Sequence, residues 1–189
     1  MGPFRYVVCD VFTDRPLTGN QLAVFTDARG LDGERMQALA REVNYSESTF
    51  VLPPEQGGHV RIRMFTPGIE VPFAGHPTLG TAFVLAAPLQ LDEIRLETGA
   101  GTVPVRLERD GPTLAFGWMQ QPLPSWRPYE QAEELLAALG VERSELPVEV
   151  YDLGPTHAYV ALADEAAVAG VQPDLAALAR LRVGANCFA

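Results

Sequence analysis

The sequence predicts an α+β fold in which a curled, mostly antiparallel sheet encloses one helix. Two observations carry this expectation. Short β-branched and aromatic runs alternate with clusters of Gly, Pro, Asn and Asp, the pattern of strands joined by turns. The stretch PTLGTAFVLAA (residues 77–87) has helical length yet is apolar on nearly every side, so it belongs in an interior and not on a surface. With 189 residues, 47% hydrophobic and 20% charged, the chain is long enough for one ample domain or two small ones.

The elements follow in order. FRYVVCDVF reads as a strand and breaks at TDRPLTGN, where Asp14, Pro16, Gly19 and Asn20 form turns. QLAVF resumes as a strand. LDGERMQALAREVN spaces Met36, Leu39, Ala40 and Val43 along one helix face, with Asp32 at the N-cap position. STFVLP and HVRIRMFT are strands, the second alternating polar and apolar residues. Helix 77–87 comes next, with Pro77 at the first helical position, where no N–H is needed. Residues 91–119 give three strands separated by the turns TGAG and RDG. These elements form a first domain, residues 1–118.

QQPLPSWRP reads as a proline-rich joint. After it come the amphipathic helix YEQAEELLAALG, closed by Gly140, and the strands VEVYDLG and HAYVALA. The helix PDLAALARLRV and a terminal strand in GANCFA complete the chain. Residues 119–189 hold too few elements for a domain comparable with the first.

A net charge of −10 argues against the basic surface that nucleic acids require. Cys9 and Cys187 stand far apart among apolar neighbours with no C-x-x-C spacing, so buried free thiols are expected and a zinc or redox pair is not. MGPFRYVVCDVF lacks the basic and long apolar regions of a leader, and no window approaches a membrane span; the expected location is the cytoplasm.

Two stretches suggest chemistry. In EVPFAGHPTLGTAF, Gly75 and Gly80 echo a phosphate loop, but Thr81 follows Gly80 directly and the phosphate-reaching lysine is missing. What remains is a glycine turn at a helix start. It serves either to admit the chain to a buried helix or to offer free backbone N–H groups to a carboxylate. In REVNYSESTFVLP, Glu47 stands between two serines at the mouth of an apolar strand. That placement suits a general acid/base, or a glutamate that merely solvates a turn. Asn20 reads first as a turn residue and Glu70 as a residue that positions the glycine turn. His59 and His157 read as strand-border residues without companions, and three scattered histidines make no metal site.

Together, DVFTDRPLTGNQLAVF, EVNYSESTFVLP and RMFTPGIEVPFAGHPTLGTAFVL resemble, in order and spacing, the PhzF-like phenazine biosynthesis family, which shares its fold with diaminopimelate epimerase. The match is nearly continuous over the first domain and looser through GPTHAYVAL to the end. The resemblance implies a cofactor-independent, metal-free isomerase built from two similar halves, each a curled sheet around a central helix. Carried over by motif, Glu47 is the acid/base that moves a proton on a small carboxylate-bearing substrate. His76 assists, the N–H groups of Gly75 and His76 hold the carboxylate, and Asn20 supports the cleft edge. Epimerases of this fold use a cysteine pair, one in the helix-start turn. Gly75 occupies that turn here, so the resemblance favours a single-carboxylate proton shift over thiol chemistry.

Family members also carry an EDPATGSA-like segment in the second half, which this sequence does not contain. The expectation is a second domain, residues 119–189, that is incomplete, in a chain truncated or split relative to the family. Such a chain acts as a homodimer, is completed by another chain, or persists as a remnant that binds a small carboxylate or a partner without turning it over. Uncovered apolar strand edges would favour self-association.

Overall fold

Strands form where the sequence places its β-branched and aromatic runs, and two parallel pairings then bend them around a helix. The structure is a computed structural model that describes residues 4–189; the first three residues of the N-terminal stretch read above lie outside it. Two compact units are present, Met1–Pro122 and Leu123–Ala189. The break falls slightly beyond position 118 because strand pairing continues to Met119 and the Gln120 N–H still donates to the Pro104 carbonyl at 3.1 Å.

In the first unit the order is β1 (Val7–Val11), β2 (Asn20–Phe25), α1 (Gly33–Val43), β3 (Glu47–Leu52), β4 (Val60–Phe65), β5 (Glu70–Val71), α2 (Gly75–Leu89), β6 (Glu93–Thr98), β7 (Gly101–Asp110) and β8 (Thr113–Met119). The sheet runs β1-β2-β3-β4-β6-β7-β8, with β5 added to β4. Pairs β2/β3 and β4/β6 are parallel and the others antiparallel, as the α+β expectation requires.

Helix α1 starts as the sequence indicates: the Asp32 carboxylate accepts the Arg35 N–H, and Asn44 ends the helix in the left-handed conformation at φ 57°. Its Met36 and Ala40 pack on Ala23, Phe25, Phe50, Leu52 and Phe65 from one face of the sheet. There Phe25 stacks on Phe50 at 4.5 Å, and Phe65 meets Phe50 edge-on at 5.4 Å. Each such fully buried side chain contributes about 1.5–3 kcal/mol relative to exposure.

Helix α2 touches β1, β2, β3, β6, β7 and β8, so the sheet curls around it. Close approach needs Gly80: a Cβ there would lie 2.6 Å from Val11 Cγ2 and 2.8 Å from Leu22 Cδ2. Two details differ from the sequence reading. The helix begins at Gly75, two residues before Pro77, since a first turn tolerates proline anywhere its N–H would go unused. The enclosure is also partial, because residues 87–90 are exposed.

A carboxylate that the sequence reading passed over ties down the loop after β3. Glu97, 2% exposed, accepts N–H bonds from Glu55 (2.7 Å), Gln56 (2.6 Å) and Gly58 (2.7 Å). Burial works to raise its pKa, but those N–H groups and the charge of Arg61 outweigh it and hold the carboxyl below the usual range.

The second unit comprises β9 (Ser125–Pro128), α3 (Ala132–Leu139), β10 (Glu149–Asp152), β11 (Thr156–Ala161), α4 (Glu165–Ala169), α5 (Leu175–Leu181) and β12 (Gly184–Phe188). The sheet order is β12-β11-β10-β9, with β11 and β12 parallel. The expected proline-rich joint is thus partly a strand: β9 lies at the sheet edge, the place where prolines such as Pro128 are tolerated. Leu135, Leu139, Val148, Val150, Ala158 and Val160 form the core on one face of this sheet. On the other face, Tyr159 stands between Tyr151 at 5.2 Å and Phe188 at 6.4 Å. Among the described residues, no helix is long and apolar enough to cross a membrane.

Candidate active site

Parallel pairing of β2 with β3 sets Leu22 opposite Glu47, so the starts of both strands lie at one end of the sheet. Asn20 opens β2, Glu47 opens β3, and His76 is the second residue of α2. The left-handed Gly19 at φ 78° makes this possible, because a Cβ there would sit 2.4 Å from the Val11 carbonyl oxygen.

These residues converge. Glu47 Oε2 lies 3.5 Å from His76 Nε2, and the two side chains are 21% and 7% exposed. On the other side of the ring, His76 Nδ1 is 3.2 Å from Asn20 Nδ2. Asn20 Oδ1 in turn accepts a 2.8 Å hydrogen bond from the Ser46 hydroxyl. The sequence reading did not select Ser46; its only signal was its place next to Glu47. Burial lowers the His76 pKa, outweighing the Glu47 charge and a hydrogen bond to the Gln21 backbone, so the imidazole is neutral near pH 7.

Glu47 Oε2 and His76 Nε2 are buried and have no hydrogen-bond partner. Buried polar atoms are ordinarily paired, and a facing couple left open is suited to exchanging a proton with a third group. Beside them, α2 begins without a side-chain cap because Ala74 occupies the N-cap position. The Thr78 N–H returns to the Ala74 carbonyl at 3.3 Å and Pro77 has no N–H, so the backbone groups of Gly75 and His76 are what the helix start has to offer. Gly75 is not there for packing. A Cβ at that position would meet only Met119 Cε, at an ordinary 3.7 Å.

A cleft of about 250 Å³ opens next to this cluster, lined by Asn20 and Ser46 together with residues such as Asp10, Gly19 and Tyr45. Neither Glu47 nor His76 lines it. The remaining sequence candidates sort out differently. Glu70 forms a two-bond ion pair with Arg63 (2.7 Å each) and so fastens β5 to β4. His59 and His157 do have companions: His59 Nδ1 accepts the Arg95 N–H at 2.8 Å, and His157 Nδ1 lies 3.0 Å from Asn186 Nδ2. Burial and the neighbouring Asp10 push the Cys9 thiol up to about 11, and burial raises Cys187 as well, so neither is poised as a thiolate base. Among the described residues, no group of three or more His, Cys, Asp or Glu side chains gathers as a metal site.

Comparison with known proteins bears on the chain as a whole. The model of a family described as "phenazine biosynthesis-like protein" matches residues 9–187. The trans-2,3-dihydro-3-hydroxyanthranilate isomerase of Pseudomonas aeruginosa is 54% identical over 187 residues, covering 98% of this chain and 67% of that enzyme. A crystal structure of a phenazine biosynthesis protein of the PhzF family from Bacillus anthracis superposes with a TM-score of 0.77 at 29% identity, covering 92% of this chain and 60% of that one. A hydroxyproline epimerase from Agrobacterium vitis shares the fold alone, with a TM-score of 0.51 at 12% identity over 75% of this chain and 48% of that one. The chain thus spans about two thirds of the length of the curated isomerase and somewhat less of the Bacillus protein.

Proposed function

Since the chain belongs to the phenazine biosynthesis-like family, and the curated relative it matches is an isomerase, we propose that it isomerises a small carboxylate-bearing ring compound by proton transfer through Glu47. The relative's substrate, a dihydro-3-hydroxyanthranilate, makes a cyclic amino acid of that kind the substrate class to test. An isomerase conserves atoms, so Glu47 takes a proton from one ring carbon and delivers one to another as the double bonds shift, the proton exchanging with solvent while it is on the carboxyl. The observation that carries this reading is the buried, otherwise unpartnered pair of Glu47 Oε2 and His76 Nε2 at 3.5 Å.

In this reading His76 stays neutral and assists Glu47 by hydrogen bonding, while the N–H groups of Gly75 and His76 hold the substrate carboxylate at the uncapped helix start. Asn20 supports the edge of the site. No step calls for a cofactor or a metal. The raised thiol pKa values favour a carboxylate over cysteine as the base. The reading also includes a cytoplasmic protein that associates with a second copy or another chain. What supports association is the half-exposed aromatic row of Trp126, Tyr159 and Phe188 in the second unit. Sedimentation velocity checks it: a stable monomer at all concentrations would remove association from the reading.

The decisive measurement is incorporation of solvent deuterium into trans-2,3-dihydro-3-hydroxyanthranilate, followed by NMR or mass spectrometry. The expected outcome is label at carbon in the presence of the wild-type chain. Glu47→Gln should lower the rate by about 10²- to 10⁴-fold, the usual contribution of a general acid/base. The same absence of exchange with wild type and Glu47→Gln would reject catalysis by this chain and leave carboxylate binding without turnover.

A further inference from the structure

An amide NH₂ group can only donate, so an amide that turns its NH₂ toward a ring nitrogen requires that nitrogen to accept. Asn20 is in that position, since its Oδ1 takes the Ser46 hydroxyl hydrogen at 2.8 Å and its Nδ2 faces His76 Nδ1 at 3.2 Å. Donation to Nδ1 requires that nitrogen to be unprotonated. In a neutral imidazole the proton must then sit on Nε2, the nitrogen that faces Glu47.

We propose that Ser46 and Asn20 are positioning residues that hold His76 as its Nε2–H tautomer and thereby aim the imidazole proton at Glu47 Oε2. This deepens the reading of Glu47 as the acid/base and rests on it for its catalytic meaning. A second observation points the same way. Nε2 and Oε2 are both buried and lack any hydrogen-bond partner. Were Nε2 unprotonated, two acceptors would confront each other at 3.5 Å in a buried place, a costly arrangement. A proton on Nε2 serves both atoms at once. The competing group is the Gln21 backbone, which also hydrogen-bonds the ring and would draw the proton to Nδ1. The donor that the Ser46–Asn20 chain turns to Nδ1 opposes that pull, and the spectra below read which of the two prevails.

The consequence extends beyond orientation. A histidine fixed as Nε2–H donates a hydrogen bond to the carboxylate partner from one defined atom, while its far nitrogen stays engaged. Ser46, which is exposed and lines the 250 Å³ cleft, becomes the outermost member of a chain running from solvent to Glu47.

Nitrogen-15 NMR of histidine-labelled protein near neutral pH tests this without substrate. For His76, identified by the signals lost in His76→Gln, the expected pattern is a protonated, pyrrole-type Nε2 and a pyridine-type Nδ1. Ser46→Ala and Asn20→Ala should each raise the ratio of Nδ1–H to Nε2–H by about two- to tenfold, the range of one neutral hydrogen bond. Ser46→Thr should restore the wild-type ratio. Asn20→Asp should reverse the tautomer outright, because a carboxylate only accepts. The His59 and His157 signals report in the same spectrum whether each variant has kept its fold. Wild-type His76 found chiefly as Nδ1–H, or a ratio unmoved by both Asn20→Ala and Asn20→Asp, overturns the proposal. A ratio unmoved by Ser46→Ala alone removes Ser46 from the chain. The spectra are of resting protein, so their outcome and that of the deuterium experiment fail or succeed separately.

Discussion

Each unit of the chain sets an asparagine amide against a histidine Nδ1: Asn20 with His76 at 3.2 Å in the first, Asn186 with His157 at 3.0 Å in the second. Their surroundings differ. His76 is buried at the start of a helix and faces a carboxylate, whereas His157 lies half-buried on β11, opposite Gly184 of the parallel β12 and with its ring against that glycine. No helix N-terminus and no acidic side chain meets His157 among the described contacts. The contrast teaches that an Asn–His pair is a way to fasten an imidazole, and that chemistry depends on what the free nitrogen is turned toward.

The sharpest way to test the independence of the two units is through their cores. Phe50→Ala should cost about 3–5 kcal/mol and Leu135→Ala about 2–5 kcal/mol, both side chains being fully buried. Urea unfolding followed by Trp118 in the first unit and Trp126 in the second would read them separately. Each substitution should lower the midpoint of its own tryptophan; equal shifts of both signals would break the comparison.

A smaller effect comes from the two glycines behind the compared elements. Gly80→Ala forces Cβ against Val11 and Leu22, an overpacking cost of about 1–3 kcal/mol, of which a helix interior returns about 1 kcal/mol by preferring Ala to Gly. Gly184→Ala would place Cβ 2.5 Å from His157 Nδ1, so the ring must turn away from Asn186. The expected signs are a modest net loss of stability for the first and a displaced His157 resonance for the second. Unchanged His157 shifts would show that the pair in the second unit is not held as described.

The smallest effect is the pH dependence contributed by His76. Its pKa in the folded protein is lowered from 6.5, so the unfolded chain binds the proton more readily. This contribution is complete above about pH 6.5 and is lost as pH falls through the folded value. Urea midpoints of wild type and His76→Gln, compared between pH 8 and pH 5 (a span of about three units around that pKa), should converge toward acid. A wild-type advantage that grows on acidification would contradict the burial of a neutral imidazole.

Much of the first unit was legible because local rules and tertiary demands agree there. Asp32 and Asn44 bracket α1 as caps should, and the all-round apolar character of residues 77–87 announced an enclosed helix. The site was legible only in part. Glu47 and His76 were singled out by position and by family resemblance, but their meeting depends on α2 packing against β2 and β3, an arrangement that no local pattern specifies. Ser46 was missed for the same reason: its hydroxyl gains meaning only from Asn20, 26 residues away. In the second unit, β9 was hidden by its prolines and α4 by its length of five residues, too short to show a helical period.

The uncapped start of α2 leads to one last consequence, for engineering. A stability screen would flag Ala74, because Asp or Ser at an N-cap adds about 0.5–2 kcal/mol relative to Ala. Pro77 at the third helical position has no N–H, so the new side-chain oxygen would reach the His76 N–H, one of the two groups proposed above to hold the substrate carboxylate. On that proposal the most obvious repair in the molecule is also an intramolecular inhibitor, and the alanine marks a place where stability and ligand access compete for the same hydrogen.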